Sequence, residues 1–445
     1  MRARLGVAAL AACLLAPAVG SAQITHPRPS PDRPITLQDA MAIALAQNST
    51  VRFARNTAAL DSLSVRQARN AFLPNLSASS QTSQGFGAGS QGENSLSFSA
   101  GVSSGVTLFN GGQNTNALQQ ARLNLQASGQ ELNRSRQTVV FVVASDFLTL
   151  ITQQEQLRVQ QENLTAQEQE LTQLEQFVKA GTRPIGDLYQ QQAAVAATRL
   201  AVVNARRATE LAKVSLIQEL LLDPRLDYIF VAPTTLGEGT SPTFNLDSLI
   251  TVALAQRVDV QAQVLRVQAA EREIRIAEGG RFPLVTGSAG YGSGYNSASD
   301  GAFLSQLNQR RGGSIGVGVS VPIFDRGAVS IARQRAQIQL ENQQIILRDE
   351  EQTVALEVRR AYLDYVAAGE QLAAANAQQQ AAALALQAAQ ARYRVGLATF
   401  VEVTLARASL VQAQSAVVSA RSSLVFQQAL MSYYTGVLDP SRVTL

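Results

Sequence analysis

The sequence predicts a mainly α-helical fold that also provides β-strands for a membrane, and three observations lead to this prediction. The chain of 445 residues contains two copies of one order of elements. In each copy, one stretch alternates between apolar and small or polar residues, which is the period of a β-strand with two unlike faces. Each copy also contains a long stretch without proline, which is typical of one continuous helix.

The N-terminal stretch of the chain, MRARLGVAALAACLLAPAVGSAQ, has the layout of a secretory signal peptide. Arg2 and Arg4 precede an apolar run that is too short to span a bilayer, and small residues follow at the cleavage position. We therefore predict a signal peptide at 1–22, followed by a Pro-rich segment at 23–34. Lipid attachment at Cys13 is an alternative, because the sequence LAA precedes this cysteine.

Removal of the signal peptide narrows the classes of protein to which the chain can belong. It takes away the only cysteine, so the mature chain has neither a disulfide nor thiol chemistry. It also lowers the formal net charge of +4 by two, which leaves no electrostatic footprint for nucleic acid. No apolar run of about 18 residues follows, so the mature chain could enter a membrane only with strands.

Self-similarity divides the mature chain into two repeats. The stretch ITLQDAMAIALAQN at 35–48 aligns with FNLDSLITVALAQR at 244–257, and LLLDP at 220–224 corresponds to GVLDP at 436–440. The predicted divisions are repeat 1 at 35–224, a connector with a short equatorial strand at 225–243, repeat 2 at 244–440 and a C-terminal tail at 441–445.

Both repeats are predicted to hold the same five elements. Repeat 1 comprises a helix at 35–71, a β-hairpin at about 75–109, a long helix at 113–180, a tip at 181–186 and a return helix at 187–222. Repeat 2 comprises a helix at 244–280, a β-hairpin at about 284–324, a long helix at 328–395, a tip at 396–399 and a return helix at 400–436. In the first long helix an apolar residue recurs every seven residues from Leu150 to Val178, which indicates a coiled coil.

The predicted strands have one apolar face and one face of small or polar residues. In LSFSAGVSSGVTL and SIGVGVSVPI, most apolar residues alternate with Ser, Gly, Thr or Pro. A soluble β-sandwich is the first explanation for such alternation. Export of the chain, the length of the strands and the lack of further strands for a second sheet favour a membrane barrel instead.

Four strands cannot close such a barrel alone. Unpaired backbone groups at a sheet edge cost several kcal/mol each in lipid, so four strands per chain require an oligomer. Three chains would supply a 12-stranded barrel with a water-filled bore. The long helices, at ~1.5 Å per residue, would reach about 100 Å away from the membrane and extend the pore as a helical tube.

The order of elements and several short motifs carry a resemblance to a known family. FLPNL precedes the first strand, LFNGG and IFDRG stand at the two strand-to-helix transitions, and each tip contains a glycine. With these motifs the chain resembles the TolC family of outer-membrane efflux proteins. The resemblance implies a homotrimer with an outer-membrane barrel, embedded in outer-membrane lipid and continued by a periplasmic tunnel. It also implies a periplasmic adaptor protein and an inner-membrane transporter as partners, in drug or metal efflux or in type I secretion.

The resemblance implies roles for three residues at the tips. In similar channels, an acidic residue at the position of Glu402 narrows the periplasmic entrance. An aspartate at the position of Asp187 holds the closed state by bonding a tyrosine, and Tyr393 stands at that tyrosine's position. The chain departs from the family pattern in two places: Ala398 replaces an arginine, and Leu405 replaces a second acidic residue.

The residues of the tips have a simpler alternative role. Glu402 completes a capping box with Thr399, and Asp187 lies in the first turn of a helix, where the dipole favours an anion. Gating and helix capping therefore both remain open for these acids. Arg183 is a further gate candidate, while Gly181 and Gly396 are expected to form the turns themselves.

The two strand-to-helix junctions form a second set of candidate residues. Their glycines would give the backbone the freedom to change direction between strand and helix. The predicted junction residues are Phe109, Asn110, Gly111, Gly112, Phe324, Asp325 and Gly327.

The sequence does not predict an enzyme, a metal site or a cofactor. Two G-x-S-x-G strings, at 101–105 and 312–316, lie within alternating strands rather than at a strand-to-helix elbow. The single histidine, His26, has no cysteine or second histidine to join it in the mature chain.

The predicted function is a passive channel for small molecules or proteins, with transport energy supplied by a partner. The alternative is a coiled-coil stalk or adhesin anchored by a small barrel. The predicted return of each long helix favours the channel, because a stalk needs only one anchoring segment and a free end.

Overall fold

The computed structural model describes residues 34–85, 95–231 and 244–437. The predicted signal peptide with Cys13, nearly all of the Pro-rich segment, the later part of the connector and the tail at 441–445 lie outside the described residues, as does His26.

Within these ranges, helices make up most of the chain and four antiparallel strands form one sheet. The elements in chain order are α1 (Leu37–Gln47), α2 (Ser49–Asn70), β1 (Asn75–Gly85), β2 (Ser95–Asn110), α3 (Gln113–Lys179), α4 (Ile185–Glu219), α5 (Leu246–Gln256), α6 (Val258–Gly279), β3 (Leu284–Asn296), α7 (Phe303–Gln309), β4 (Gly312–Ser320), α8 (Ala328–Arg394) and α9 (Phe400–Tyr434).

The sheet joins the hairpins of the two repeats in the order β1-β2-β3-β4. Val102 on β2 is paired with Ala78 on β1 and with Tyr291 on β3. Because paired residues project to the same side and successive residues alternate, the register separates two faces. The apolar face carries Leu76, Phe98, Val102, Tyr291, Tyr295, Ile315 and Val317. The opposite, polar face carries mainly Ser, Gly, Thr and Gln.

The last strand is shorter than predicted. The second hairpin was expected to reach residue 324, whereas β4 ends at Ser320. Pro322 lies just beyond this end, and proline has no N–H to donate to a neighbouring strand. Helix α7, in the connection between β3 and β4, was not predicted.

The prediction of one helix at 35–71 is wrong, because the chain breaks at Asn48 between α1 and α2. Asn48 has a ψ of 133°, which a helix cannot contain. Its Oδ1 accepts a hydrogen bond from the N–H of Thr50 at 2.8 Å and so caps α2. Its Nδ2 donates to Glu219 at the end of α4 at 2.8 Å, which fixes the break against the returning helix.

The prediction of one helix at 244–280 is wrong for a related reason. Arg257 separates α5 from α6 with a ψ of 120°, and its side chain is only 3% exposed. The guanidinium forms ion pairs with Asp259 and with Glu357 of α8. Arg134 of α3 also contacts Asp259, at 3.3 Å, so this charged cluster connects the two repeats. Burial opposes the charge on Arg257, but hydrogen bonds to the two carboxylates hold the pKa of its guanidinium above the ordinary value.

The long helices pack against their return helices as antiparallel pairs, α3 with α4 and α8 with α9. In the predicted heptad row of α3, Leu150 is buried and the later members are half-buried. A neighbouring row that includes Val159, Gln167 and Leu174 is buried. Gln191 of α4 is 1% exposed and donates to the backbone oxygen of Gln167 at 2.7 Å, so a satisfied polar contact lies inside this seam.

The largest core lies where the short helix α1 packs against α3 and α4. Phe147 is completely buried there, and its ring meets that of Phe230 edge-on at 6.2 Å. Phe230 belongs to the predicted connector and forms a parallel bridge with Ile35. α1, α3, α4 and the first part of the connector therefore share one hydrophobic core. In the described parts of the chain, no helix is both long and apolar enough to cross a membrane.

Candidate functional site

The first candidate site is the pair of tips at the end of the molecule remote from the sheet. The first tip turns at Gly181, with φ of 72°, and α4 follows Pro184. The second tip turns at Gly396, with φ of 80°, and α9 follows Thr399. Both glycines adopt left-handed backbone angles that side chains with a Cβ rarely adopt, which explains why each turn needs glycine.

A hydrogen bond joins the two tips. The hydroxyl of Tyr393, at the end of α8, donates to Oδ2 of Asp187, in the first turn of α4, at 2.7 Å. Both side chains are half-buried. Burial, the hydrogen bond to Asp187 and the charge of Asp187 all raise the pKa of Tyr393, so its hydroxyl remains a donor at neutral pH.

Arg183, in the first tip, makes further contacts with the end of α8. Its Nη2 donates to the backbone oxygens of Tyr393 at 2.8 Å and of Arg394 at 3.2 Å. The same guanidinium lies 4.2 Å from the centre of the Tyr393 ring, within the range of a cation–π contact. The first tip thus supplies an arginine to this contact, whereas the second tip has Ala398 two residues after Gly396.

Glu402 lies in a separate arrangement. It forms the predicted capping box with Thr399, and its carboxylate is 3.4 Å from the guanidinium of Arg392. The structure thus brings together Asp187, Tyr393 and Arg183, and gives Glu402 its contacts within the second tip.

Two contacts at the tips were missed from the sequence. Arg407 of α9 binds Glu170 of α3 at 2.5 Å, with both side chains largely buried. The ring of Phe400 packs 5.5 Å from that of Tyr393. A signal for the ion pair existed: Glu170 precedes Gly181 by as many residues as Arg407 follows Gly396. Opposite charges at matching distances from the two turns would have suggested a contact.

The second candidate site is the first strand-to-helix junction. The backbone turns sharply because Gly111 has φ of 65° and Gly112 has φ of 80°. A Cβ at Gly111 would lie 2.3 Å from the backbone oxygen of Gly279, so this position also requires glycine for close packing against α6. Asn110 holds the start of α3, since its Oδ1 accepts from the N–H of Asn114 at 3.3 Å. Phe109 is about half exposed at the end of β2.

The second junction makes the same change of direction with different residues. Arg326 has φ of 56° and Gly327 has φ of 80°. Asp325 accepts hydrogen bonds from the N–H groups of Val329 at 2.8 Å and of Gly327 at 2.9 Å, and these bonds lower the pKa of its carboxyl. Asp325 therefore holds the start of α8 as Asn110 holds the start of α3. Phe324 is 83% exposed beside it.

These sites offer hydrogen-bond donors, charges and turns, but not a set of metal ligands. Among the described residues, no group of three or more His, Cys, Asp or Glu side chains could hold a metal ion.

The sequence matches the profile of the family described as outer membrane efflux protein, at residues 41–220 and 249–436. The chain is also 26% identical to Protein CyaE of Bordetella pertussis over 307 residues, which are 69% of this chain and 64% of CyaE. It is 25% identical to the pyoverdine export outer membrane protein OpmQ of Pseudomonas aeruginosa over 320 residues, 72% of this chain and 66% of OpmQ. The chain thus spans slightly less than two thirds of the length of these two relatives.

Solved structures share the fold. CusC superposes with a TM-score of 0.78 at 18% identity, over 90% of this chain and 92% of CusC. VceC of Vibrio cholerae superposes with a TM-score of 0.76 at 20% identity, over 90% of this chain and 96% of VceC. The outer membrane channel CmeC of Campylobacter jejuni gives a TM-score of 0.77 at 16% identity, over 90% of this chain and 85% of CmeC.

Proposed function

Because this chain belongs to the outer membrane efflux protein family, we propose that it is a passive channel-tunnel of the outer membrane. Small molecules, such as drugs or toxic compounds, or proteins would leave the cell through it. The chain itself would catalyse no reaction, and a partner would supply the energy of transport.

The observation that carries this proposal is the exposed apolar face of the sheet. Ile315 is 91% exposed, Leu76 78% and Val317 68%. An apolar surface of this kind is unfavourable in water and favourable against acyl chains. The opposite face, with its Ser and Gly residues, suits a water-filled bore.

The edges of the sheet support an oligomer. In the described chain, β1 and β4 each pair on one side only. In lipid, the free N–H and C=O groups on the other side must find partners. Pairing β4 of one copy with β1 of the next would satisfy them, and three copies would form a closed barrel of twelve strands.

The positions of exposed aromatic residues indicate that the apolar band on the sheet is about as tall as a bilayer is thick. Tyr291 lies toward the end of the sheet that is remote from the helices, and Phe282 precedes the start of β3 at the other end; they are 59% and 44% exposed. The nine residue steps from Phe282 to Tyr291 would cover about 30 Å if extended throughout, or roughly 23 Å when tilted by ~40°. This is close to the ~25 Å apolar band of outer-membrane barrels, where aromatic residues line both margins.

The helices would continue the pore into the periplasm. α3 and α8 each contain 67 residues and begin directly at the junctions with the sheet. Each would reach about 100 Å. Both return through α4 and α9, and a stalk or adhesin would need no such return. For this reason we favour the channel over the stalk.

The tips are proposed as the periplasmic entrance and as the docking surface for an adaptor protein and an inner-membrane transporter. Large apolar side chains are more than half exposed around both turns: Phe177, Ile185, Tyr189, Val395, Leu397 and Leu405. Such a surface on an otherwise polar helical end is typical of a protein interface. The contacts of Asp187, Tyr393 and Arg183 would hold this entrance closed.

The cargo of this channel would be selected by its transporter rather than by the tunnel. OpmQ is a pyoverdine export protein, and export of a small molecule is therefore one role that the present chain could share.

Reconstitution into planar bilayers tests the proposal. The purified chain should be a trimer by light scattering and should give discrete conductance steps. A protein that remains monomeric, or that leaves the bilayer without conductance, would contradict the channel. A trimer without conductance would favour the stalk.

A further inference from the structure

The connection between β3 and β4 folds back over the apolar face of the sheet. Phe303, the first residue of α7, packs against two residues that pair with each other on that face. Its ring lies 5.6 Å from that of Phe98 on β2 and 5.0 Å from that of Tyr295 on β3. α7 is thereby attached to the outside of the sheet rather than to the polar face.

A buried amide fixes this connection. Gln306 of α7 is 2% exposed. The two N–H groups of its Nε2 are shared among the backbone oxygens of Asn296, Ser299 and Gly301 at 2.9 to 3.1 Å, and its Oε1 accepts from the N–H of Asn296 at 3.0 Å. Since the hydrogen-bonding groups of this side chain are well satisfied, α7 has a defined position on the sheet.

The outer surface of α7 combines apolar and basic groups. Leu304 is 77% exposed and Phe303 is 44% exposed. Arg310 and Arg311 follow α7 directly and are also exposed. Within the described residues, neither arginine forms an ion pair. The same connection contains one acidic residue, Asp300, against these two arginines, so its net charge remains positive.

The two arginines lie at the margin of the apolar band. Gly312 pairs with Gly292, so Arg311, one residue earlier, is level with Ser293, between Tyr291 and Tyr295. In the proposed membrane orientation, this is the depth at which acyl chains give way to headgroups. Arginine at this depth can bind phosphate groups through paired hydrogen bonds.

A shallow groove on the apolar face leads away from this point. It is lined by large side chains such as Val102, Tyr291 and Ile315 and by small residues such as Ala289 and Gly313, and its volume is about 670 Å³. An acyl chain could lie in this groove while its headgroup meets the arginines.

We propose that α7, Arg310, Arg311 and this groove together bind a lipid of the outer leaflet that carries phosphate groups. Charge complementarity and the apolar groove select this occupant. A second copy of the chain is disfavoured, because Phe303 sits over the central strands β2 and β3, whereas a second copy would pair at the edges. The inference rests on the proposed insertion of the sheet into a membrane.

Native mass spectrometry of the trimer released from nanodiscs tests the inference. Nanodiscs of phosphatidylcholine containing a minor fraction of lipid A provide the probe, and discs without lipid A provide the baseline. The wild-type trimer should retain lipid A. The R310Q/R311Q variant should retain at least about tenfold less, because two headgroup contacts are lost. L304S should also retain less, whereas R206Q/R207Q, a pair of exposed arginines on α4, should retain the wild-type amount.

Three outcomes would overturn the inference. Equal retention by R310Q/R311Q and the wild-type chain would show that the arginines do not bind the lipid. Displacement of lipid A by inorganic phosphate alone would reduce the site to an anion site. Loss of the trimer in R310Q/R311Q would make a second copy the occupant. Wild-type conductance in planar bilayers separates a failure of this inference from a failure of the proposed channel.

Discussion

At the scale of single residues, the break at Asn48 lies beside two acidic groups. Burial raises the pKa of Asp146, and burial together with the charge of Asp146 raises the pKa of Glu219, although the hydrogen bond from Asn48 acts in the opposite direction. A carboxyl whose pKa is raised on folding binds its proton more tightly in the folded chain. The folded state therefore gains stability from this proton below the ordinary pKa and loses it as pH rises through the raised pKa.

Replacing Glu219 with Gln should accordingly stabilise the protein at neutral pH. Glutamine keeps an oxygen that can accept from Asn48 and removes the negative charge near Asp146. We expect E219Q to raise Tm by ~1–3 °C near pH 7.5. The difference should fade near pH 4, where the wild-type carboxyl is itself protonated. Thermal unfolding followed by circular dichroism at both pH values checks this.

The matched control for E219Q is E210Q, on the same helix at an exposed position. It should leave Tm unchanged at both pH values. A lower Tm for E219Q near pH 7.5 would mean that the carboxylate of Glu219 stabilises the break.

At the scale of elements, the two strand-to-helix junctions allow a direct comparison. G111A should severely destabilise the chain, because the backbone angle is strained and the new Cβ would meet the backbone oxygen of Gly279. G327A meets no atom within 4 Å, so only the left-handed backbone opposes it, at about 1–2 kcal/mol. The yield of the proposed trimer on gels, in heat-resistant form, should fall strongly for G111A and little for G327A. Similar yields would indicate that α6 is free to move away from Gly111.

The long helices and the alternating strands could be predicted from the sequence, whereas the breaks within the shorter helical segments could not. α3 and α8 run for 67 residues each without proline, and β2 and β4 alternate over most of their length. The breaks at Asn48 and Arg257 contain neither Gly nor Pro, and the apolar pattern continues across them. Their cause is tertiary, since Glu219 and Glu357 come from distant helices.

The same limit applies to the candidate site. The motif of the family identified Asp187 and Tyr393, and the structure joins them by a hydrogen bond. The position of Arg183 over the Tyr393 ring required the fold, because an arginine side chain has too many rotamers for its direction to follow from sequence. The short α7 was missed because its seven residues lie in a region rich in Ser, Gly and Asn.

At the scale of the whole molecule, the two repeats have diverged at equivalent positions. Asn48 corresponds to Arg257 at the helix breaks, and Gly111 corresponds to Arg326 at the junctions. In both pairs the second repeat has an arginine where the first has a smaller residue. The two halves therefore keep the same backbone path with different contacts, and a substitution in one repeat need not have the effect of its counterpart in the other.

The tips connect these halves, and the last prediction concerns the closed state that we propose for them. Y393F removes the hydroxyl that donates to Asp187 but keeps the ring beneath Arg183. A hydrogen bond to a charged acceptor contributes about 1.5–3 kcal/mol, so the ratio of open to closed channels should rise at least about tenfold. Single-channel recording at neutral pH measures this ratio. Y189F, which changes an exposed tyrosine near the same tip, should behave as the wild-type channel.

The pH dependence of the wild-type channel distinguishes this hydrogen bond from simple packing of the tyrosine ring. Because the pKa of Tyr393 is raised in the closed arrangement, its protonated hydroxyl stabilises that arrangement fully below the ordinary tyrosine pKa of about 10, and this stabilisation is lost progressively as pH rises from there through the raised pKa. The wild-type open fraction should therefore stay constant from neutral pH to about pH 10 and increase above it. Y393F should lack that increase. An equal increase in both channels would assign the alkaline opening to other groups. An unchanged open fraction in Y393F at neutral pH would leave Arg183 and the Arg407–Glu170 pair as the contacts that hold the tips together.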